Sequence, residues 1–112
     1  MMTGYGDIRD ILDRAVDHAD IGAHGPFWRL LTRDEFVAFR VFGQVPILKS
    51  VSGGGFDADE SNLVKSLEGR NPFGRDLGVP GARFPRMPAR LPPVSKEDIK
   101  IIRDWITAGC PA

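Results

Sequence analysis

The sequence predicts a small all-α domain of about four helices joined by long loops rich in proline and glycine. In the segments near both ends of the chain, apolar residues recur every three or four positions, which is the period of one helix face. Prolines and glycines interrupt the segments between them, where regular structure is harder to sustain. The 112 residues are 42% hydrophobic and 27% charged, an ordinary globular composition. We therefore expect residues 1–112 to form one domain.

The first and last helices are predicted over residues 7–19 and 96–108. Ser95 has the position of a helix cap, and Gly109 follows the last periodic residue. Each helix has one apolar stripe opposite a charged face, so we expect the two to cross and pack on each other. The predicted contacts join Ile11, Leu12 and Ala15 to Ile102, Trp105 and Ile106.

A second helix is predicted to begin after Thr32. Thr32 and Glu35 have the spacing of a capping box, in which each side chain accepts a hydrogen bond from the other residue's backbone N–H. The apolar residues of segment 36–42 continue the helix around most of its circumference, and Gly43 ends it. Residues 44–56 are expected to form a loop or a pair of short extended pieces.

A third helix is predicted from 58 to 68, with Asp57 as its cap and Gly69 as its stop. Residues 70–94 follow and contain six prolines, so they should lack regular secondary structure. A loop of this length in a small domain is usually functional.

Charge and composition restrict the classes of partner. The 15 basic residues balance 15 acidic ones, so bulk electrostatics give no reason to expect nucleic acid or a membrane surface. No apolar run approaches the roughly 20 residues that a membrane helix needs. Cys110 is the single cysteine, which excludes an internal disulfide. The first five residues lack the apolar core of a signal peptide, so we expect a cytoplasmic protein.

Motifs that carry catalysis are absent from the sequence. It has no phosphate-binding loop, no dinucleotide fingerprint and no nucleophile elbow. The two histidines, His18 and His24, do not form a recognisable zinc-ligand set with the distant Cys110. We therefore predict that the protein is not an enzyme.

Three motifs occur in an order that matches a known family. Residues 19–26, Ala-Asp-Ile-Gly-Ala-His-Gly-Pro, follow the first helix, and Met87-Pro88 precedes the last helix, which ends Trp-Ile-Thr-Ala-Gly-Cys-Pro at 105–111. This order resembles the small class I cytochromes c, most of all bacterial domains that end in Trp-Ile-x-x-Gly-x-Pro. Ser-Asn-Leu-Val at 61–64 takes the place of the family's helix before the methionine loop. The resemblance covers nearly the whole chain and implies the family's all-α fold.

The resemblance places His24 and Met87 at the two axial ligands of the family's haem. The haem-attaching cysteines would stand at positions 20 and 23, where this chain has Asp20 and Ala23. Neither side chain can form a thioether bond, so covalent haem is excluded. Two alternatives stay open: His24 and Met87 bind haem non-covalently, or His24 makes hydrogen bonds in a loop and Met87 fills the core. We expect no cofactor, with non-covalent haem as the alternative.

The proline-rich loop carries the candidate partner-binding residues. These are Arg75, Arg83, Arg86 and Arg90. They are either solvated or paired with the domain's own carboxylates, or they dock an acidic protein, since arginine is enriched at interfaces. The sequence therefore predicts a haem-free cytochrome c-like domain that acts as a small protein-binding or accessory protein. The alternative is an electron-transfer protein that binds haem through His24 and Met87.

Overall fold

The structure is a computed structural model that describes residues 3–16, 27–41, 43–87 and 93–112. Its α-helices are α1 Tyr5–Val16, α2 Phe27–Leu30, α3 Arg33–Val37, α4 Asn62–Glu68 and α5 Lys96–Thr107, and Arg75–Leu77 form a 3-10 helix. Its strands are β1 Arg40–Val41, β2 Val45–Pro46, β3 Lys49–Ser50 and β4 Phe56–Asp57. In the described part of the chain, no helix is long and apolar enough to cross a membrane.

The prediction of an all-α fold of about four helices is wrong. The described residues are 46% helix and 11% strand, which makes the domain mixed α/β. The strands form two small antiparallel sheets, one of β1 with β2 and one of β3 with β4. Both sheets lie between α3 and α4, where the sequence predicts the second half of a helix and then a loop or a pair of short extended pieces.

The first sheet replaces the second half of the predicted second helix. The capping box of Thr32 and Glu35 is present as predicted, but the helix ends at Val37. The chain then forms a hairpin in which β1 pairs with β2, and Gly43, with a φ of 70°, lies in the turn. The apolar residues of this segment fit a helix and a hairpin alike. Their pattern in the sequence therefore does not separate the two structures.

The third helix begins later than predicted. Asp57 Oδ1 accepts a hydrogen bond from the backbone N of Glu60 at 3.3 Å. This bond stabilises a turn before the helix and does not cap the first residue of the helix. The helix α4 therefore begins at Asn62, with Ser61 at the N-cap position. Gly69 ends it in the left-handed conformation, as predicted.

The predicted packing of the terminal helices is confirmed. α1 contacts α5, and the ring of Tyr5 stacks on Trp105 with centroids 6.2 Å apart. Arg14 Nη2 lies 3.5 Å from Asp98 Oδ2 across the same pair of helices. Ser95 caps α5 by accepting a hydrogen bond from the N–H of Asp98. The predicted end of the first helix, beyond Val16, lies outside the described residues.

The main core is a cluster of apolar side chains from the helices and the segments between them. Its largest fully buried members are Trp105, Phe36, Ile8 and Ile102. Phe27 stacks on Phe39 with centroids 4.7 Å apart, so aromatic residues of the middle region pack on one another.

Candidate functional site

The arginine loop, defined as residues 70–87, folds around a small core of its own. Phe73 and Phe84 form a parallel bridge, and their ring centroids lie 5.5 Å apart. Phe73 is only 8% exposed, yet it does not belong to the main core cluster. The loop therefore has a satellite core, which is common beneath long loops.

Backbone hydrogen bonds close the arginine loop. The N–H groups of Arg83 and Phe84 both donate to the carbonyl of Pro72, at 2.8 and 3.0 Å. The N–H of Arg75 donates to the carbonyl of Phe84 at 2.9 Å, and the N–H of Met87 donates to the carbonyl of Ser66 at 2.8 Å. A segment without long regular elements is thus fixed in one conformation.

Two glycines allow the start of the loop to pack tightly. Gly69 and Gly74 both have positive φ, at 70° and 93°. A Cβ atom on Gly74 would lie 2.4 Å from the carbonyl oxygen of Gly69 and 2.6 Å from Val79 Cγ2. The close approach of these backbone segments therefore requires glycine at position 74.

The arginines of the loop differ in their contacts. Arg70 turns back towards α4, because its Nε lies 2.8 Å from Glu68 Oε1 and its Nη2 donates to the carbonyl of Asp59. Arg75 and Arg83 are exposed, and neither forms an ion pair within the described ranges. Pairing with the domain's own carboxylates therefore describes Arg70 but not Arg75 or Arg83.

The carboxylate of Asp76, the one acidic group of the loop sequence, is used within the loop. Asp76 Oδ1 accepts a hydrogen bond from the backbone N of Arg86 at 2.8 Å. The side chain of Arg86 is half-buried, and its Cγ would lie 3.2 Å from a Cβ on Gly69. Arg90, the fourth predicted partner-binding residue, lies outside the described residues. The structure thus brings Arg75, Arg83 and Arg86 together in one folded loop.

Two large apolar side chains of this loop are exposed, and Leu77 was not identified from the sequence. Leu77 is 53% exposed and Phe84 is 38% exposed. Both stand in a segment whose prolines and arginines predict a surface loop, and that context was the available signal.

Of the two predicted haem ligands, Met87 lies within the described residues. Met87 is half-buried and packs against the main core, whereas His24 lies outside the described ranges. Within those ranges, no group of three or more His, Cys, Asp or Glu side chains could hold a metal ion. Cys110 is buried, and desolvation raises the pKa of its thiol to about 11 despite the nearby Arg33. The thiol is therefore a poor nucleophile at neutral pH.

A second polar surface follows α1. An open groove of about 490 Å³ is lined by Gly6, Asp7, Arg9, Asp10 and Asp13. Asp7 Oδ2 accepts from the N–H of Gly4, and Asp13 Oδ1 accepts from Trp28 Nε1 at 2.7 Å and from Arg29. Desolvation acts to raise the pKa of Asp13, but the bonds from Arg29 and Trp28 outweigh it and lower that pKa. The carboxylates of Asp7 and Asp13 therefore form hydrogen bonds within the protein.

Comparisons of the chain with protein-family models, with curated proteins and with solved structures gave no match. The fold and the loop define a small mixed α/β domain with a fixed arginine loop on its surface. Its function is accordingly argued from the geometry of that loop.

Proposed function

We propose that this chain is a small binding or accessory domain that docks an acidic protein through its arginine loop. The proposal rests on the surroundings of the Arg75 and Arg83 side chains. Both project from a fixed backbone and have no carboxylate partner in the described part of the chain. A loop that is already ordered loses less conformational entropy on binding, so more of the interaction energy appears as affinity.

Local charge supports an acidic partner. The sequence of the arginine loop contains four arginines and only Asp76 as an acidic residue, although the whole chain is neutral. Complementary charge steers encounter and sets specificity at an interface. Because salt screens charges over about 8 Å at physiological ionic strength, this attraction acts on a partner that approaches the loop itself.

The relation to the class I cytochromes c is part of the same proposal, as a distant relation without haem. The contact between the terminal helices and the packing of Met87 against the core support it. The alternative is non-covalent haem held by His24 and Met87. The described residues supply only the Met87 half of that pair, so the haem-free proposal comes first.

The proposal also includes a non-catalytic role and a cytoplasmic location. The buried Cys110, with its raised thiol pKa, gives no activated nucleophile. As the single cysteine of this sequence it has no partner for an internal disulfide, which is typical of reducing compartments.

The test is affinity capture from the source cells with matched charge variants. The loop variant is Arg75→Glu with Arg83→Glu, and the control is Lys49→Glu with Lys96→Glu, two exposed lysines outside the loop. We expect the wild type and the control to capture the same acidic protein and the loop variant to lose it. Retention of that protein by the loop variant would overturn the proposal.

An absorption spectrum after haem addition tests the alternative. We expect no sharp Soret band. A Soret band that disappears in His24→Ala and in Met87→Ala would instead establish the electron-transfer alternative.

A further inference from the structure

We propose that the arginine loop binds an acidic peptide segment that carries a large apolar side chain. In this arrangement Arg75 and Arg83 contact the carboxylates of the segment, and Leu77 and Phe84 contact its apolar side chain. The inference rests on the proposed function and specifies the chemistry of the partner.

The apolar half of the surface comes from Leu77 and Phe84. Single exposed apolar residues are ordinary on any protein surface. Here two large ones occur within eight positions of one fixed loop, at 53% and 38% exposure. Contact with a partner would remove both side chains from water, which favours binding.

Leu77 has an arginine side chain beside it, and Phe84 is joined to Arg75 through the backbone. Leu77 Cδ1 and Arg86 Cγ lie 2.8 and 3.2 Å from the position that a Cβ on Gly69 would take, so the two side chains are neighbours. Phe84 directly follows Arg83, and its carbonyl accepts from the N–H of Arg75 at 2.9 Å. The loop therefore carries exposed apolar residues and exposed arginines close together along its backbone, which suits a peptide that has both apolar and acidic residues.

The exposed arginines and the ordered apolar ring suit a carboxylate-bearing peptide. A guanidinium group binds a carboxylate through two parallel hydrogen bonds. The ring of Phe84 is held against Phe73, so an apolar partner meets a side chain that is already ordered. The zero net charge of the chain gives no long-range attraction for a polyanion such as nucleic acid.

The experiment is selection of random peptides displayed on phage against the immobilised full chain. Peptides that also bind the Arg75→Glu, Arg83→Glu variant are removed by counter-selection. We expect the remaining peptides to be enriched in Asp and Glu and to contain at least one Leu, Phe or Trp. Enriched peptides without acidic residues, or an absence of enrichment, would overturn the inference.

The best selected peptide is then synthesised and its affinity measured by fluorescence anisotropy. We expect Leu77→Ser to weaken binding roughly tenfold, in line with loss of one apolar contact, and Leu30→Ser, an exposed control outside the loop, to leave it unchanged. Unchanged affinity in Leu77→Ser would contradict the role of the apolar surface. Tighter binding of a labelled oligonucleotide or of anionic phospholipid vesicles would also contradict the inference.

The two proposals fail in different ways. If capture of the cellular partner needs Arg75 and Arg83 but no acidic peptide is selected, the partner chemistry is wrong and the binding function holds. If the loop variant still captures the partner, the binding function itself is wrong.

Discussion

Ser61 is a buried polar residue whose hydroxyl joins three elements of the fold. Its Oγ donates to the carbonyl of Asp57 at 2.7 Å and accepts from the backbone N of Lys49 at 2.9 Å. Ser61 thereby links β3 and the end of β4 to the start of α4, and it is 0% exposed. The sequence indicates Ser61 only as part of a motif, because its bond with Lys49 depends on how two separate segments pack.

We expect Ser61→Ala to lower the free energy of unfolding by about 1–3 kcal/mol, since two partly buried backbone groups lose a hydrogen-bond partner. Ser66→Ala is the matched control. Ser66 Oγ donates to the carbonyl of Leu63 within the same helix, so its loss should cost less than about 1 kcal/mol. Urea unfolding of both variants measures the difference, and equal costs would contradict this role for Ser61.

The loop arginines show what residue type alone can and cannot predict. Their number in a proline-rich segment indicated a binding surface, and the structure places Arg75 and Arg83 on an exposed, fixed loop. Sequence could not show that Arg70 contacts Glu68 and the turn before α4. Which arginine is available depends on the path of the backbone, and that path depends on tertiary contacts.

Helix ends were predicted well where their signals are local. The capping box of Thr32 and Glu35, the cap at Ser95 and the stop at Gly69 involve residues close together in sequence. Neighbouring residues determine such hydrogen bonds, so a pattern in the sequence is sufficient.

The hairpin of β1 and β2 was missed because the choice between helix and strand was not local. The apolar residues of segment 36–42 fit either structure, and Gly43 can end a helix or form a turn. Pairing of Arg40 with Pro46 and of Val41 with Val45 settles the choice in the structure. The internal bonds of the arginine loop were missed for the same reason.

The close packing at the start of the arginine loop can be tested with two glycine variants. Gly74 and Gly78 both have positive φ, but a Cβ on Gly78 would meet no atom within 4 Å. Gly78→Ala should therefore cost only the backbone strain of about 1–2 kcal/mol. Gly74→Ala adds a clash with the Gly69 carbonyl and should cost about 1–3 kcal/mol more. Thermal or urea unfolding checks the order, and equal costs would contradict the tight approach.

At the scale of the whole molecule, charged groups connect the segment before the arginine loop to the last helix. Arg103 Nη2 of α5 donates to Asp59 Oδ1 at 2.9 Å, and Arg103 Nη1 lies 3.5 Å from Glu68 Oε1. Arg70 contacts the same two carboxylates. The hydrogen bond from Arg103 and the charge of Arg70 lower the pKa of Asp59 below 3.8, against a weaker effect of desolvation.

This network predicts a stability difference that depends on pH. The lowered pKa means that ionised Asp59 stabilises the fold above about pH 3.8, and that this contribution is lost as the pH falls through the lower pKa of the folded state. We expect Asp59→Asn to lower the melting temperature at pH 7 and to approach the wild type below pH 3.8. Asp34→Asn is the control, because Asp34 is exposed and pairs only with the adjacent Arg33 among the salt bridges of the described chain. A difference between Asp59→Asn and wild type that stays constant down to acid pH would contradict the role of the carboxylate charge.

The central claim is that the arginine loop is folded in the free protein and is the surface that a partner covers. Hydrogen–deuterium exchange of the free chain and of its complex with the captured partner tests it most directly. The account predicts that the amides of Arg75, Arg83, Phe84 and Met87 exchange at least about tenfold more slowly than in an unstructured peptide, because each donates a backbone hydrogen bond. It also predicts a further decrease in the complex. Exchange at the unstructured rate in the free chain, or protection in the complex confined to another surface, would contradict the claim.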